Sequence, residues 1–143
     1  MHEADPIARL RADFDRQGAM AAMGITVGDV APGWVVLEMP FNAAFSQHHG
    51  FVHAGVITTA MDSACGFAAF TLMEADAEVL TVEFKCNFMS PAKGDRFRFE
   101  GNVIKPGRTL TFTEGRALAI TGTDEKQIAT ISATMMAVRG MKG

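Results

Sequence analysis

A lone acid and a cluster of histidines mark the middle of the chain. His48, His49 and His53 fall in the run Gln47-His48-His49-Gly50-Phe51-Val52-His53-Ala54-Gly55, and Asp62 follows nine residues after His53. Asp62 is the only Asp, Glu, Lys or Arg between Glu38 and Glu74. An ionised carboxylate in so apolar a stretch is costly unless it is paired, hydrogen-bonded or open to a wet cleft, and such groups concentrate at functional sites. The competing reading is a structural acid tied to Thr58 or to a backbone amide. A metal is not expected, because the helical His-Glu-x-x-His spacing is absent and no second carboxylate lies nearby. Cys65 and Cys86 lack both Cys-x-x-Cys spacing and an electropositive neighbour, so they read as buried thiols.

The element that carries Asp62 runs from Gly55 to Met73. Val56, Ile57, Ala60, Met61, Ala64, Cys65, Phe67, Ala68 and Leu72 cover most of a helical circumference, the pattern of a helix buried on nearly all sides. What is left is a narrow stripe of Gly55, Thr58, Thr59, Asp62, Ser63 and Gly66. A membrane span of similar length is excluded by chemistry, since an Asp at the centre of a span costs about 2.5 to 3.5 kcal/mol.

Upstream, Asp5-Pro6 is an N-cap and first-turn proline for a helix through about Gln17, with Ile7, Leu10 and Phe14 on one face. Gly18 to Gly24 reads as a second short helix, and residues 1–24 as an N-terminal helical segment. Ile25–Val30 and Trp34–Pro40 form a hairpin about Ala31-Pro32-Gly33, followed by an irregular connection from Phe41 to Gln47. Downstream the period changes to two. Leu80, Val82, Phe84, Cys86 and Phe88 are expected on one face of a strand, with Thr81, Glu83, Lys85 and Asn87 on the other. Strands over Arg96–Lys105, Leu110–Ile120 and Gln127–Arg139 follow, joined by short turns that make them antiparallel neighbours. Residues 141–143 read as a frayed tail. The sum is one α+β domain of 143 residues, with an antiparallel sheet curved around one long central helix.

A net charge of −3 and a pI near 5.8 leave no basic field for nucleic acid, and no Lys/Arg run marks a membrane-surface patch. The N-terminus lacks the apolar core and cleavage site of a signal peptide, so a cytoplasmic location is expected.

A helix swaddled by an antiparallel sheet is the hotdog architecture. The run from Gln47 to Gly55, with Asp62 beyond it, resembles the Asn-x-x-Gly-x-x-His-Gly-Gly…Asp signature of the phenylacetic-acid-degradation (PaaI-type) acyl-CoA thioesterases and their human relatives. Thr81-Val82-Glu83-Phe84 with Asn87-Phe88-Met89-Ser90-Pro91-Ala92, and Lys105-Pro106-Gly107-Arg108-Thr109, resemble the family's third strand and next hairpin. The likeness runs from about Ile25 to Val138. Two positions depart from it: Gln47 replaces the Asn, and Ala54 replaces the first Gly, which matters if that position needs positive φ.

The resemblance implies hydrolysis of acyl-CoA thioesters, with CoA as part of the substrate and no separate cofactor. Such chemistry needs a donor for the developing oxyanion and a group that attacks or activates water. Unpaired amides at a helix N-terminus suit the first task, here Ala54 or Gly55, with His53 shaping the turn. The resemblance further implies that Asp62 is the nucleophile or general base and that Gln47 and Thr81 help position water or substrate. Asp62 lies roughly 10 Å along the helix from those amides, so its reacting partner must come from a second chain. A homodimer with composite sites is expected on both grounds, and a tetramer of two such dimers is compatible with it. Lys93 and Arg108 are candidate cations for the CoA phosphates, Ser90 a further contact, and Phe45 and Phe51 part of the acyl pocket. Two other readings compete. A dehydratase would carry Glu on the helix and a His with prolines in the loop, neither of which is present; a non-catalytic acyl-CoA-binding protein would have no use for Asp62.

Overall fold

The computed structural model describes residues 5–140, so the tail expected at 141–143 and the first four residues of the N-terminal segment lie outside the described residues. Helix α1 (Pro6–Asp15) starts as its sequence dictates: the Asp5 carboxylate accepts from the Ile7 amide at 3.3 Å, and Pro6 needs no amide partner. It buries Leu10 and Phe14. Helix α2 (Gly18–Met23) ends at Gly24 in the left-handed conformation, φ 71°. Strands β1 (Thr26–Ala31) and β2 (Trp34–Pro40) form the first hairpin, and helix α3 (Ala54–Phe70) follows a single 3-10 turn at Ala43–Phe45. Strands β3 (Ala77–Phe88), β4 (Arg96–Lys105), β5 (Leu110–Thr121) and β6 (Asp124–Arg139) complete one antiparallel sheet in the order β1-β2-β4-β5-β6-β3.

The sheet curves around α3, which touches β2, β3, β4, β5 and β6. The closest approach falls where Gly101 of β4 and Gly115 of β5 stand opposite each other in the ladder. A Cβ on Gly101 would lie 2.4 Å from the carbonyl carbon and oxygen of Ala64, and one on Gly115 would lie 3.0 Å from the Cys65 sulfur. Two missing side chains therefore let the sheet close on the helix. Phe97, Phe99, Leu37, Met61, Ile131 and Met135 fill the remaining volume and are almost fully buried.

Helix α3 is shorter than its sequence pattern suggests. It stops at Phe70 because the Thr71 hydroxyl folds back onto the Ala68 carbonyl at 2.7 Å while accepting from the Gly33 amide at 2.8 Å.

The face assignment of β3 also needs correction. Val82 is a bulge: Thr81 stands opposite Met135 and Glu83 opposite Thr134. The extra residue flips the alternation, so Val79, Thr81, Phe84, Cys86 and Phe88 share the helix-facing side with buried Met135, Ala133, Ile131 and Ala129 of β6. Leu80 joins Glu83, Lys85 and Asn87 on the outer side. Without the bulge Thr81 would face away from Asp62.

Candidate active site

The turn before α3 is held by its own polar groups. The Gln47 carboxamide oxygen accepts from the His49 and Phe51 amides, the latter at 3.3 Å, and the Gln47 carbonyl accepts from the Gly50 amide at 2.9 Å. Gly50 supplies the positive φ the turn requires, 85°. Ala54 does not need one, because no residue other than glycine has positive φ among the described residues. The departure from glycine at Ala54 thus carries no strain.

His53 is the N-cap of α3. Its Nδ1 accepts from the Gly55 amide at 2.9 Å, and its carbonyl accepts from Val56 and Ile57 at 3.0 and 3.3 Å. An accepting Nδ1 means that the ring proton sits on Nε2. Of the two candidate donors, then, the Gly55 amide is occupied. The Ala54 amide donates to no group among the described residues. Ala54 lines, at the positive end of the helix dipole, a cleft of about 560 Å³ walled by Gln47, His48, Phe51, His53, Phe88, Ser90, Pro91 and Ile128 among others. His48, considered above only as a metal ligand, stands in this wall with its ring centroid 4.0 Å from that of His49 and tilted by 44°.

Asp62 lies elsewhere. It sits in a second cleft of about 210 Å³ with Gln17, Ser63, Gly66, Phe67, Val79, Leu80 and Thr81, none of them a cation. The Thr81 hydroxyl donates to Asp62 Oδ1 at 2.9 Å, a contact made possible by the bulge at Val82. Burial raises the Asp62 pKa above the usual carboxylate value, and the Thr81 hydrogen bond offsets part of that rise. The two clefts share no lining residue. At 1.5 Å rise per residue, Ala54 and Asp62 are roughly 12 Å apart along α3.

Other predicted contacts are more distant. Lys93 is exposed just past the cleft wall formed by Ser90, Pro91 and Ala92. Arg108 is exposed in the β4–β5 hairpin, where its carbonyl accepts from Arg139 at 2.8 Å, and it lines neither cleft. Both thiols are pushed up by burial, Cys65 to about 12, which makes them poor nucleophiles. Gln17 is the residue that sequence reasoning passed over in the Asp62 cleft; its place at a helix junction far from the motif gave no signal.

Comparison with known proteins decides the family. Residues 49–126, more than half of the chain, match the model of the Thioesterase superfamily. The chain belongs to that superfamily. Among solved structures, a thioesterase family protein from Silicibacter pomeroyi is similar over 94% of this chain and 99% of its own, with 50% identity and a TM-score of 0.93. Human acyl-coenzyme A thioesterase 13 is 33% identical over 90 residues, 62% of this chain and 64% of that protein. The PaaI protein of the E. coli phenylacetic acid degradation operon, only 16% identical, shares the fold across 97% of both chains, with a TM-score of 0.85. The hotdog fold and a thioester-hydrolase lineage follow for this member of the superfamily.

Proposed function

We propose that the protein hydrolyses acyl-CoA thioesters in composite sites, each using Asp62 of one protomer and the Ala54 amide of its partner. What supports this reading is that the two clefts meet different stretches of β3. Thr81, bonded to Asp62, is the fifth of its twelve residues, and Phe88, in the wall of the Ala54 cleft, is its last. Among the described residues β3 is a sheet edge with no strand beyond it, and Val82, Phe84, Phe88 and Met89 are about half exposed on or beside it. A long apolar edge of this kind calls for a covering strand. Pairing two β3 edges antiparallel about a twofold axis brings the start of one strand to the end of the other, and the symmetry makes two such sites at once. Acyl-CoA as substrate is supported by the name of the human relative.

In this reading the thioester carbonyl oxygen accepts from the Ala54 N–H at the start of α3. Water attacks the carbonyl carbon and gives its proton to Asp62. The oxyanion formed is held by the amide until the C–S bond breaks, and the CoA thiolate leaves and recovers the proton from Asp62. Asp62 fits the base role because burial strengthens its hold on a proton while Thr81 occupies only one of its oxygens. Lys93 at the rim is suited to a CoA phosphate.

The test is thiol release from a panel of aromatic and aliphatic acyl-CoAs by the native protein and by Asp62→Asn. A loss of about 100- to 10,000-fold with dimer and ligand binding intact is expected. Full activity of Asp62→Asn refutes the assignment. A single turnover in ¹⁸O-water then separates base from nucleophile: label in Asp62 itself requires an anhydride and overturns the base role.

A further inference from the structure

The Asp62 cleft has a neighbour. A groove of about 430 Å³ lies directly beyond it, and the two share Gln17, Phe67 and Val79 in their walls. Phe67 and Val79 are floor and side, fixed by α3 and β3. Phe67 packs edge-on against Phe70, with ring centroids 6.3 Å apart, and against Phe14 at 5.7 Å. Gln17 is different in kind. It occupies the junction of α1 and α2, where it is exposed, and only its backbone serves as the cap of α2, with its carbonyl accepting from Met20 and Ala21. Its carboxamide makes no hydrogen bond among the described residues, so nothing in the fold of the protomer requires a long side chain there.

We infer that Gln17 is a specificity-determining residue: it ends the acyl compartment next to Asp62 and restricts the protein to compact acyl groups, short aliphatic or single-ring. This rests on the thioesterase reading above. In this inference a thioester carbonyl held against the partner's Ala54 amide and beside Asp62 directs its acyl group into the cleft of about 210 Å³ that contains the acid, and not toward Phe51, which lines the Ala54 cleft. Gln17 and Phe67 line both that cleft and the groove beyond it. The larger groove beyond is walled by Phe67, Phe70 and Val79 but also by Asp13, Arg16 and Glu78, and of the described residues of the N-terminal helical segment only Gln17 lines both volumes. Removing the carboxamide joins the two volumes and opens an aromatic floor to longer chains.

The experiment compares kcat/KM for hexanoyl-CoA and dodecanoyl-CoA in the native protein, Gln17→Ala and Gln17→Met. The native protein favours hexanoyl-CoA. Gln17→Ala raises the dodecanoyl-to-hexanoyl ratio by at least about tenfold, the discrimination that one or two methylenes command in an apolar pocket. Gln17→Met, which keeps the length and removes the amide, stays near the native ratio. An unchanged ratio in Gln17→Ala, or a native protein that already prefers dodecanoyl-CoA, overturns the inference. The same ratios are read as binding constants by calorimetry on an Asp62→Asn background. That measurement judges Gln17 even if no thioester is turned over, the outcome that would count against the thioesterase reading instead.

Discussion

Replacing Ala54 by proline removes one hydrogen atom on which the proposed mechanism depends, and the local backbone is already suited to the change. Ala54 is the first residue of α3, where proline is favoured because that amide has no intrahelical partner. His53 has φ −60° and ψ 136°, within the extended region that a residue before proline prefers. Folding stability should therefore change little, while the oxyanion loses its donor. Loss of one such donor costs about 100- to 1,000-fold in kcat. Ala54→Gly keeps the amide and serves as the control. The informative assay mixes Ala54→Pro with Asp62→Asn, unfolding and refolding them together so that subunits exchange. About half of the dimers are then mixed. Each mixed dimer holds one site with both defects and one with neither, so about a quarter of native activity returns from two nearly inactive proteins. If acid and amide of the same protomer worked together, no mixture would recover anything. Absence of recovery in a sample shown to contain mixed dimers refutes the composite site.

Four further outcomes follow from the same geometry. Thr81→Val removes a hydrogen bond that favours the charged form of Asp62, so the acid limb of the kcat/KM profile moves to higher pH. Asp62 has a folded pKa above its ordinary value of 3.8, so the folded state binds this proton more tightly than the unfolded chain. The contribution of Asp62 to stability is then greatest below 3.8 and is lost as pH rises through the folded value; Asp62→Asn should raise Tm at neutral pH and give no gain below 3.8. Phe84→Lys places a charge on the β3 edge and should yield folded monomers by sedimentation, with thiol release abolished. Gly101→Ala forces a methyl into the Ala64 backbone and should cost at least about 2 kcal/mol in denaturant unfolding, because backbone on both sides must yield.

The helix, its half-buried acid and the hairpins were legible in the sequence because each rests on a local pattern. An all-round apolar run with one carboxylate gave α3 and Asp62, and Pro-Gly turns gave the strand order along the chain. The parts that were not legible depend on long-range partners. Strict alternation put Thr81 on the face opposite Phe84, Cys86 and Phe88, because a bulge is a mismatch with β6 and leaves no mark in β3 alone. The choice between the Ala54 and Gly55 amides turned on where the His53 ring points. The end of α3 depended on Thr71 being held by Gly33, 38 residues away. Gln17 reaches its cleft only through tertiary packing.

The span of β3 between Thr81 and Phe88 has a consequence for how this sequence can vary. In the proposed dimer that span is traversed twice, once by each copy, so one residue gained or lost within it displaces both sites together and turns the downstream side chains to the other face. Compensation elsewhere in the protomer cannot restore the match, since the error is copied by symmetry. Insertions and deletions should therefore be excluded from this segment among functional relatives, while the hairpin turns around Gly107 and Gly122, which belong to no shared length, remain free to grow or shrink.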